Sequence, residues 1–231
     1  MTLGSSTIEG LAEATAALGG AVLGPAELAS ALGFDPLAVL TAEERAAVQR
    51  VPFGPADWER ARREGELLVL RVPRDPEGPL TMLRIAARIG GMNPRVHEGV
   101  GYLLRDEWTI DPQPFAKDET PTAGWFLVRR APVRDTLNVF YREQDEALER
   151  LGLPTRAGVP RRRSAVEVAF DTLAWHKARG ERLLASCWDW SRSPSSDGGL
   201  VALGEFGEHG LGCIAYSRAV KHNALGVCAQ R

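Results

Sequence analysis

The strongest constraint on the fold is the texture of the chain after Leu184, where glycines recur every few residues between short apolar runs. These glycines are Gly198, Gly199, Gly204, Gly207, Gly210, Gly212 and Gly226. Their spacing interrupts any helical period, and glycine supplies the positive φ that tight turns require. The segment therefore predicts short strands joined by turns.

The rest of the chain favours helices and two isolated strands. Residues 1–65 predict a small helical segment, and the continuous apolar runs at 67–70 and 125–128 predict buried strands. Residues 164–179 predict the clearest helix, which ends at a glycine. The apolar stripe of that helix is Val166, Ala169, Phe170 and Leu173. Helices followed by a turn-rich β segment predict an α+β fold.

Composition excludes several classes of protein. The 231 residues are 44% hydrophobic and 25% charged, which is typical of a globular chain, and the net charge is -2. With no basic surplus, we expect no nucleic-acid or membrane partner. We expect the side chains of the Arg161-Arg162-Arg163 run to be solvated or paired with acidic residues. The alternative is that they form a nucleic-acid-binding patch. Without a long apolar run or a basic, apolar leader, we expect a cytoplasmic protein.

The tail contains a frame of small and apolar residues with a family pattern. It runs Ser196-Asp197-Gly198, Val201, Gly204, Phe206, Gly210-Leu211, then Leu225-Gly226-Val227, Ala229 and Arg231. This frame resembles the C-terminus of variable (target) proteins of diversity-generating retroelements. Upstream, Gly124 to Arg130 resembles a Gly-Trp-x-Leu-x-Arg strand of the same group. Val159-Pro160 with Ala165-Val166-Glu167 resembles a helix start of the formylglycine-generating-enzyme type of C-type-lectin fold.

The resemblance implies a C-type-lectin-like domain over residues 66–231, preceded by the helical segment 1–65. It implies a non-enzymatic ligand-binding protein whose variable segment, residues 196–231, displays a changeable surface to a protein or glycan ligand. The motifs of the lectin-type enzymes and of calcium-dependent lectins are absent, so we expect no catalytic residue, no cofactor and no metal. A homo-oligomer formed through the N-terminal helices is a further expectation.

Between the frame positions lie residues that we expect to point outward and to bind ligand. They are Ala202, Gly212, Ile214, Ala215, Tyr216, Ser217, Ala219, Val220, His222, Asn223 and Ala224. Tyrosine offers large amphipathic contact area at low entropic cost, and histidine adds an adaptable hydrogen-bonding group. Adenine changes in asparagine codons can produce most of these residue types, but they cannot produce Glu205, Glu208 or Lys221. We interpret those three as scaffold or drift.

Other functions remain as alternatives at the level of sequence. A formylglycine-generating or sulfatase-modifying enzyme would use Cys213 or Cys228, and a zinc site would combine the cysteines with His209 and His222. A metalloprotease would need more than the lone His97-Glu98 pair. Carboxylates at Asp106 and Glu107, or the Asp171 and His176 pair, are the remaining catalytic candidates. A third hypothesis is that the protein is a subunit of an assembly, which it joins through residues 1–65.

Overall fold

The computed structural model describes residues 8–89, 92–93, 104–106, 110, 113–152, 158–208 and 210–231. The described helices are α1 Leu11–Leu18, α2 Pro25–Leu32, α3 Ala42–Val48, α4 Pro55–Glu64, α5 Met82–Ile89, α6 Pro114–Asp118, α7 Tyr141–Arg150 and α8 Ala165–Arg179, with a 3₁₀ helix at Arg134–Thr136. The described strands are β1 Val22–Leu23, β2 Glu66–Arg71, β3 Arg74–Asp75, β4 Gly78–Pro79, β5 Met92–Asn93, β6 Leu104–Asp106, β7 Gly124–Arg129, β8 Trp188–Pro194, β9 Leu200–Gly207, β10 Gly210–Tyr216 and β11 Leu225–Gly226. The predicted α+β class is confirmed.

Two sheets carry most of the strands. In the first sheet, of order β1-β2-β7, strand β2 runs parallel to β1 and antiparallel to β7. The second sheet has the order β11-β8-β9-β10-β6-β5, and its β8-β9-β10 part is an antiparallel meander. Residues 229–231 join the sheets, because Leu127 and Arg231 exchange backbone hydrogen bonds of 3.0 Å. The turn-rich C-terminal segment thus forms the short strands that its sequence predicts.

Helix α8 lies at the centre of the molecule. Ser164 caps it, accepting a 3.3 Å hydrogen bond from the backbone of Glu167, while the Glu167 carboxylate accepts one from the Ser164 backbone. The sequence predicts one apolar stripe, but all residues from Ala165 to Trp175 are buried, since α2 and α5 pack on one side and strands on the other. Within the described residues, no helix has both the length and the apolar character needed to cross a bilayer.

The N-terminal helices are packed into the same hydrophobic core as the rest. That core includes Leu28 of α2 and Trp58 of α4 together with Phe170 of α8. Strand β1 pairs with β2, and Arg179 of α8 donates a 3.0 Å hydrogen bond to the backbone oxygen of Val22. The predicted boundary at residue 65 therefore coincides with no break in packing, and the division into two units remains a prediction.

Candidate binding face of the C-terminal sheet

The β8-β9-β10 meander has two buried faces of different composition. Its inner face packs against α8 through the apolar side chains of Val201, Leu203, Phe206, Leu211 and Cys213. Its opposite face, which we call the outer face, carries a separate cluster made of Trp188, Trp190, Leu200, Ala202 and Leu225. Half-buried side chains cover this second cluster: Tyr141, Ile214, Tyr216, Val220 and Ala224. The outer face therefore has an apolar floor and a partly accessible upper layer.

Aromatic rings organise the outer face. Tyr141 of α7 meets Trp190 edge to face at 5.1 Å between ring centroids. Tyr216 at the end of β10 meets Trp188 at 6.3 Å and Trp190 at 6.5 Å, both in T-shaped geometry. Aromatic pairs of this geometry add about 0.5–1.5 kcal/mol to the effect of burial alone. The tryptophans of the floor are thus in contact with both rings of the upper layer, Tyr141 and Tyr216.

Nine of the eleven predicted ligand-binding residues reach the surface at or beside this face. Ser217, Ala219, His222 and Asn223 are exposed, whereas Ile214, Ala215, Tyr216, Val220 and Ala224 are half-buried. The exposed four lie in the loop between β10 and β11, which is folded back over the sheet. His222 helps to hold that loop, because its Nδ1 accepts a 3.2 Å hydrogen bond from the backbone of Ala224.

The expectation of an accessible position is wrong for Ala202 and Gly212. Both residues are buried, and Ala202 has no exposed surface. Ala202 does point to the outer face, but it lies in the floor opposite Trp190, its partner in the strand register. The alternation of side chains along a strand assigns them to two faces, but it does not indicate which face other side chains cover. The sequence pattern alone therefore could not predict that Ala202 is buried.

The frame residues occupy positions where substitution is most restricted. Val201, Phe206, Leu211 and Val227 are fully buried, as predicted. A Cβ on Gly226 would lie 2.7 Å from Oγ1 of Thr136 and 2.8 Å from Cβ of Pro132. Arg231 binds Glu66 at 3.0 Å and also pairs with Asp57 of α4. These buried frame residues maintain the architecture, whereas the frame residues Ser196, Asp197 and Gly198 are exposed.

Arg162 and Arg163, which we expected to be either solvated or paired, are buried and paired. Arg162 is 5% exposed and binds Asp145 at 2.7 Å, while Arg163 is 2% exposed and binds Asp171 and Asp189. Burial opposes the charge of Arg163, but the two carboxylates outweigh it and raise the pKa of the guanidinium. The arrangement excludes a nucleic-acid role for these two side chains, since neither is presented to solvent.

Tyr141 is the member of the outer face that sequence reasoning missed. It begins α7, far in sequence from the tail, and no local pattern connects it to β8. The guanidinium of Arg162 lies 4.0 Å from its ring centroid and that of Arg218 lies 5.7 Å away. Burial raises the pKa of the Tyr141 phenol, so it remains protonated and able to donate a hydrogen bond at neutral pH.

A shallow polar depression adjoins the aromatic layer. It has a volume of about 160 Å³ and is lined by Asp197, Gly198, Gly199, Ala215, Tyr216 and Ser217. The Asp197 carboxylate accepts hydrogen bonds from Ser195 Oγ and, at 3.2 Å, from the backbone of Gly199. These bonds lower the pKa of Asp197, so the depression is negatively charged near neutral pH. A ligand on the outer face would meet apolar, aromatic and anionic groups side by side.

The residues proposed for enzymatic alternatives lie elsewhere or have other contacts. Cys213 and Cys228 are fully buried, and burial raises the pKa of the Cys228 thiol well above its usual value. Asp171 is bound by Arg71 and Arg163. His97, Glu98, Glu107 and His209 lie outside the described residues, as does the side chain of Asp106. Among the residues that the structure does describe, no group of three or more histidine, cysteine or acidic side chains could hold a metal ion.

Comparisons with protein-family models, with curated proteins and with solved structures returned no match for this chain.

Proposed function

We propose that the outer face is a ligand-binding surface and that residues 214–224 supply its changeable part. One observation carries the proposal: the frame residues that flank this segment, Leu211 and Leu225 to Val227, are buried, whereas residues 214–224 are all exposed or half-buried. Because the fold depends on the first set, the second can change its chemistry with little loss of stability. This is the property that a displayed recognition surface requires.

We further propose that the chain is a variable protein of a diversity-generating retroelement, with a C-type-lectin-like fold. Support comes from the Ser-Asp-Gly, Gly-Leu and Leu-Gly-Val segments of the tail, together with the burial of Leu211, Leu225 and Val227 in the last two. On this account the protein is not an enzyme and acts in the cytoplasm, and its ligand is a protein or a glycan. Self-association through the N-terminal helices remains a separate proposal.

The composition of the face favours recognition by shape and individual side chains. Tyr141 and Tyr216 offer large rings with polar ends, and Ile214 and Val220 add apolar area between them. Aromatic side chains of this kind dominate the energetics of many binding surfaces. At the rim, Lys221 lies 3.8 Å from the Phe140 ring centroid and the same distance from a Glu143 oxygen.

A library experiment tests the proposal. Ile214, Ala215, Tyr216, Ala219, His222 and Ala224 are randomised together, and the fraction of folded clones is measured by protease resistance on a display platform. We expect most clones to remain folded, because each of these side chains is exposed or half-buried. Selection of the folded pool against a panel of proteins and glycans should then yield binders whose substitutions differ from one target to another.

A matched library supplies the control. Randomising Val201, Ala202, Leu203, Phe206, Leu211 and Leu225 changes the same number of positions, in β9, β10 and β11, and all six side chains are buried. We expect few folded clones from it. Equal folding of the two libraries, or loss of folding in the first, would contradict the proposed division between frame and surface.

A further inference from the structure

Strand β8 supplies the tryptophan floor of the outer face, yet hydrophobic alternation does not fix its register. Trp188, Asp189, Trp190 and Ser191 are all buried, so both faces of the strand are covered. In a strand with one solvent-exposed face, a register shift by one residue would transfer apolar side chains into water. That cost is reduced in β8, and another interaction has to specify which side chains point outward.

Asp189 lies between the two tryptophans in the sequence and makes directional contacts with other elements. It points to the inner side, where one carboxylate oxygen accepts hydrogen bonds of 3.1 and 2.7 Å from Arg163. Its other oxygen accepts a 2.8 Å bond from the backbone of Cys228. A slip by one residue would carry the carboxylate to the aromatic side and leave its inner partners without it. Unpaired buried charge is among the most costly errors that a core can contain.

Arg162, which precedes Arg163 in the chain, also contacts β8. Arg162 donates a 2.8 Å hydrogen bond to the backbone oxygen of Trp190, and its guanidinium lies against the Tyr141 ring. Arg192 of β8 also donates its backbone N–H to the carbonyl of Arg163 at 2.9 Å. Two consecutive arginines therefore both contact β8, Arg163 through the Asp189 carboxylate and Arg162 through the backbone oxygen of Trp190.

We propose that Arg162 and Arg163 are positioning residues that lock the register of β8 and so keep Trp188 and Trp190 beneath residues 214–224. The register lock itself follows from the contacts of Asp189 and Trp190. Its role in recognition rests on the proposed function of the outer face. Polar contacts inside a core can select one arrangement among several of similar packing, as a buried asparagine does for coiled coils.

The test counts tryptophan environments by NMR in the variant Asp189→Asn. The chain has six tryptophans, and a single register gives six indole N–H resonances. We expect the variant to show additional indole resonances and at least about a twofold loss of the cross-strand NOE between Trp190 and Ala202, which pair directly in β8 and β9. Six resonances with an unchanged NOE would overturn the proposal.

Asp75→Asn is the matched control. The Asp75 side chain is also fully buried and binds two arginines, Arg84 and Arg88, at 2.7 Å each, but it lies in the β3-β4 hairpin. The same chemical change there should lower stability while leaving six indole resonances and the Trp190–Ala202 NOE intact. Extra resonances in this control would mean that general destabilisation, and not loss of the lock, accounts for the effect.

A second variant decides the matter if Asp189→Asn does not fold. Replacing the pair together, Arg163→Met with Asp189→Leu, leaves Asp171 bound to Arg71 and removes both charges of the lock. We expect a folded protein with more than one register, because apolar replacements of buried ion pairs keep stability. A single native register, or an unfolded chain, would contradict a role in register. The proposed function is tested independently by the libraries above, which retain Arg162 and Arg163.

Discussion

The backbone oxygen of Cys187 lies 2.1 Å from the point that a Cβ atom on Gly204 would occupy. The Cα of Trp188 is 2.7 Å from the same point, so β8 and β9 approach each other too closely for any side chain there. Gly204 belongs to the frame by its sequence pattern, and this contact gives a physical reason for glycine at the position.

Gly204→Ala should therefore destabilise the protein strongly. The added methyl group meets backbone, which cannot rotate away, so we expect a loss of at least about 3 kcal/mol in the free energy of unfolding. Urea denaturation followed by tryptophan fluorescence measures it. Gly207→Ala is the control, because a Cβ at that position has its nearest contact at 3.7 Å. A similar loss at both positions would refute the close-approach explanation.

Arg71→Met should also be costly. Arg71 is fully buried, binds Asp171 through two hydrogen bonds of 2.7 and 2.5 Å, and donates a third to Gln230. Its removal leaves Asp171 with Arg163 as remaining cation, and we expect a loss of about 3–5 kcal/mol in unfolding free energy.

Arg142→Ala is the surface comparison for that change. Arg142 pairs with Glu146 at 3.1 Å, but its side chain is 91% exposed. Exposed pairs contribute about 0–1 kcal/mol, so calorimetric unfolding should be almost unchanged. Comparable effects of the two substitutions would show that burial does not govern these ion pairs.

Acid should weaken the protein partly through Glu167. Burial raises the pKa of this carboxyl, but Arg71 and the Ser164 backbone N–H outweigh burial and lower it from 4.5 to about 2. Because the folded pKa lies below the unfolded one, the stabilisation is present above about pH 4.5 and is lost as the pH falls towards 2. The linkage is worth about 3 kcal/mol.

Glu167→Gln tests this pH dependence. We expect lower stability at pH 7 and a shallower decline between pH 5 and 2 in denaturant titrations. Some acid dependence should persist because of Asp75. Burial raises the pKa of this carboxyl, but the hydrogen bonds from Arg84 and Arg88 outweigh burial and lower it to about 2. If the free energy of unfolding of the variant fell with pH as steeply as that of the original protein, Glu167 would not contribute to the acid dependence.

The floor and the upper layer of the outer face should respond differently to truncation. Trp190 is fully buried, so Trp190→Ala should cost about 3–5 kcal/mol in unfolding free energy. Tyr216 is half-buried, and Tyr216→Ala should cost about 1 kcal/mol, mainly through lost edge-to-face contacts with Trp188 and Trp190. Thermal unfolding of both variants measures the difference. Equal costs would place Tyr216 in the scaffold.

Much of the fold follows from local sequence patterns. Continuous apolar runs predicted β2 and β7, and Ser164 with Gly180 bounded α8, because strand burial and helix capping are local effects. The burial of Val201 and Phe206 also followed from glycine-punctuated spacing.

The remaining features depend on contacts between distant segments. Ala202 lies in the floor because Trp190 pairs with it across β8 and β9. Tyr141 reaches the outer face because Arg162 and Trp190 hold its ring, and neither contact has a local signature. Arg163 is buried because Asp171 and Asp189, from two other elements, converge on it. Pairings of this kind require the folded topology.

The most direct test of the central claim is the sequence of the DNA that adjoins the coding region. The account predicts a near-repeat of the codons for residues 196–231 that differs mainly at adenines, with the differences concentrated in the codons for residues 214–224. Codons for Gly204, Leu211 and Gly226 should be identical in the two copies. Absence of such a repeat, or differences that fall on the frame codons, would contradict the account.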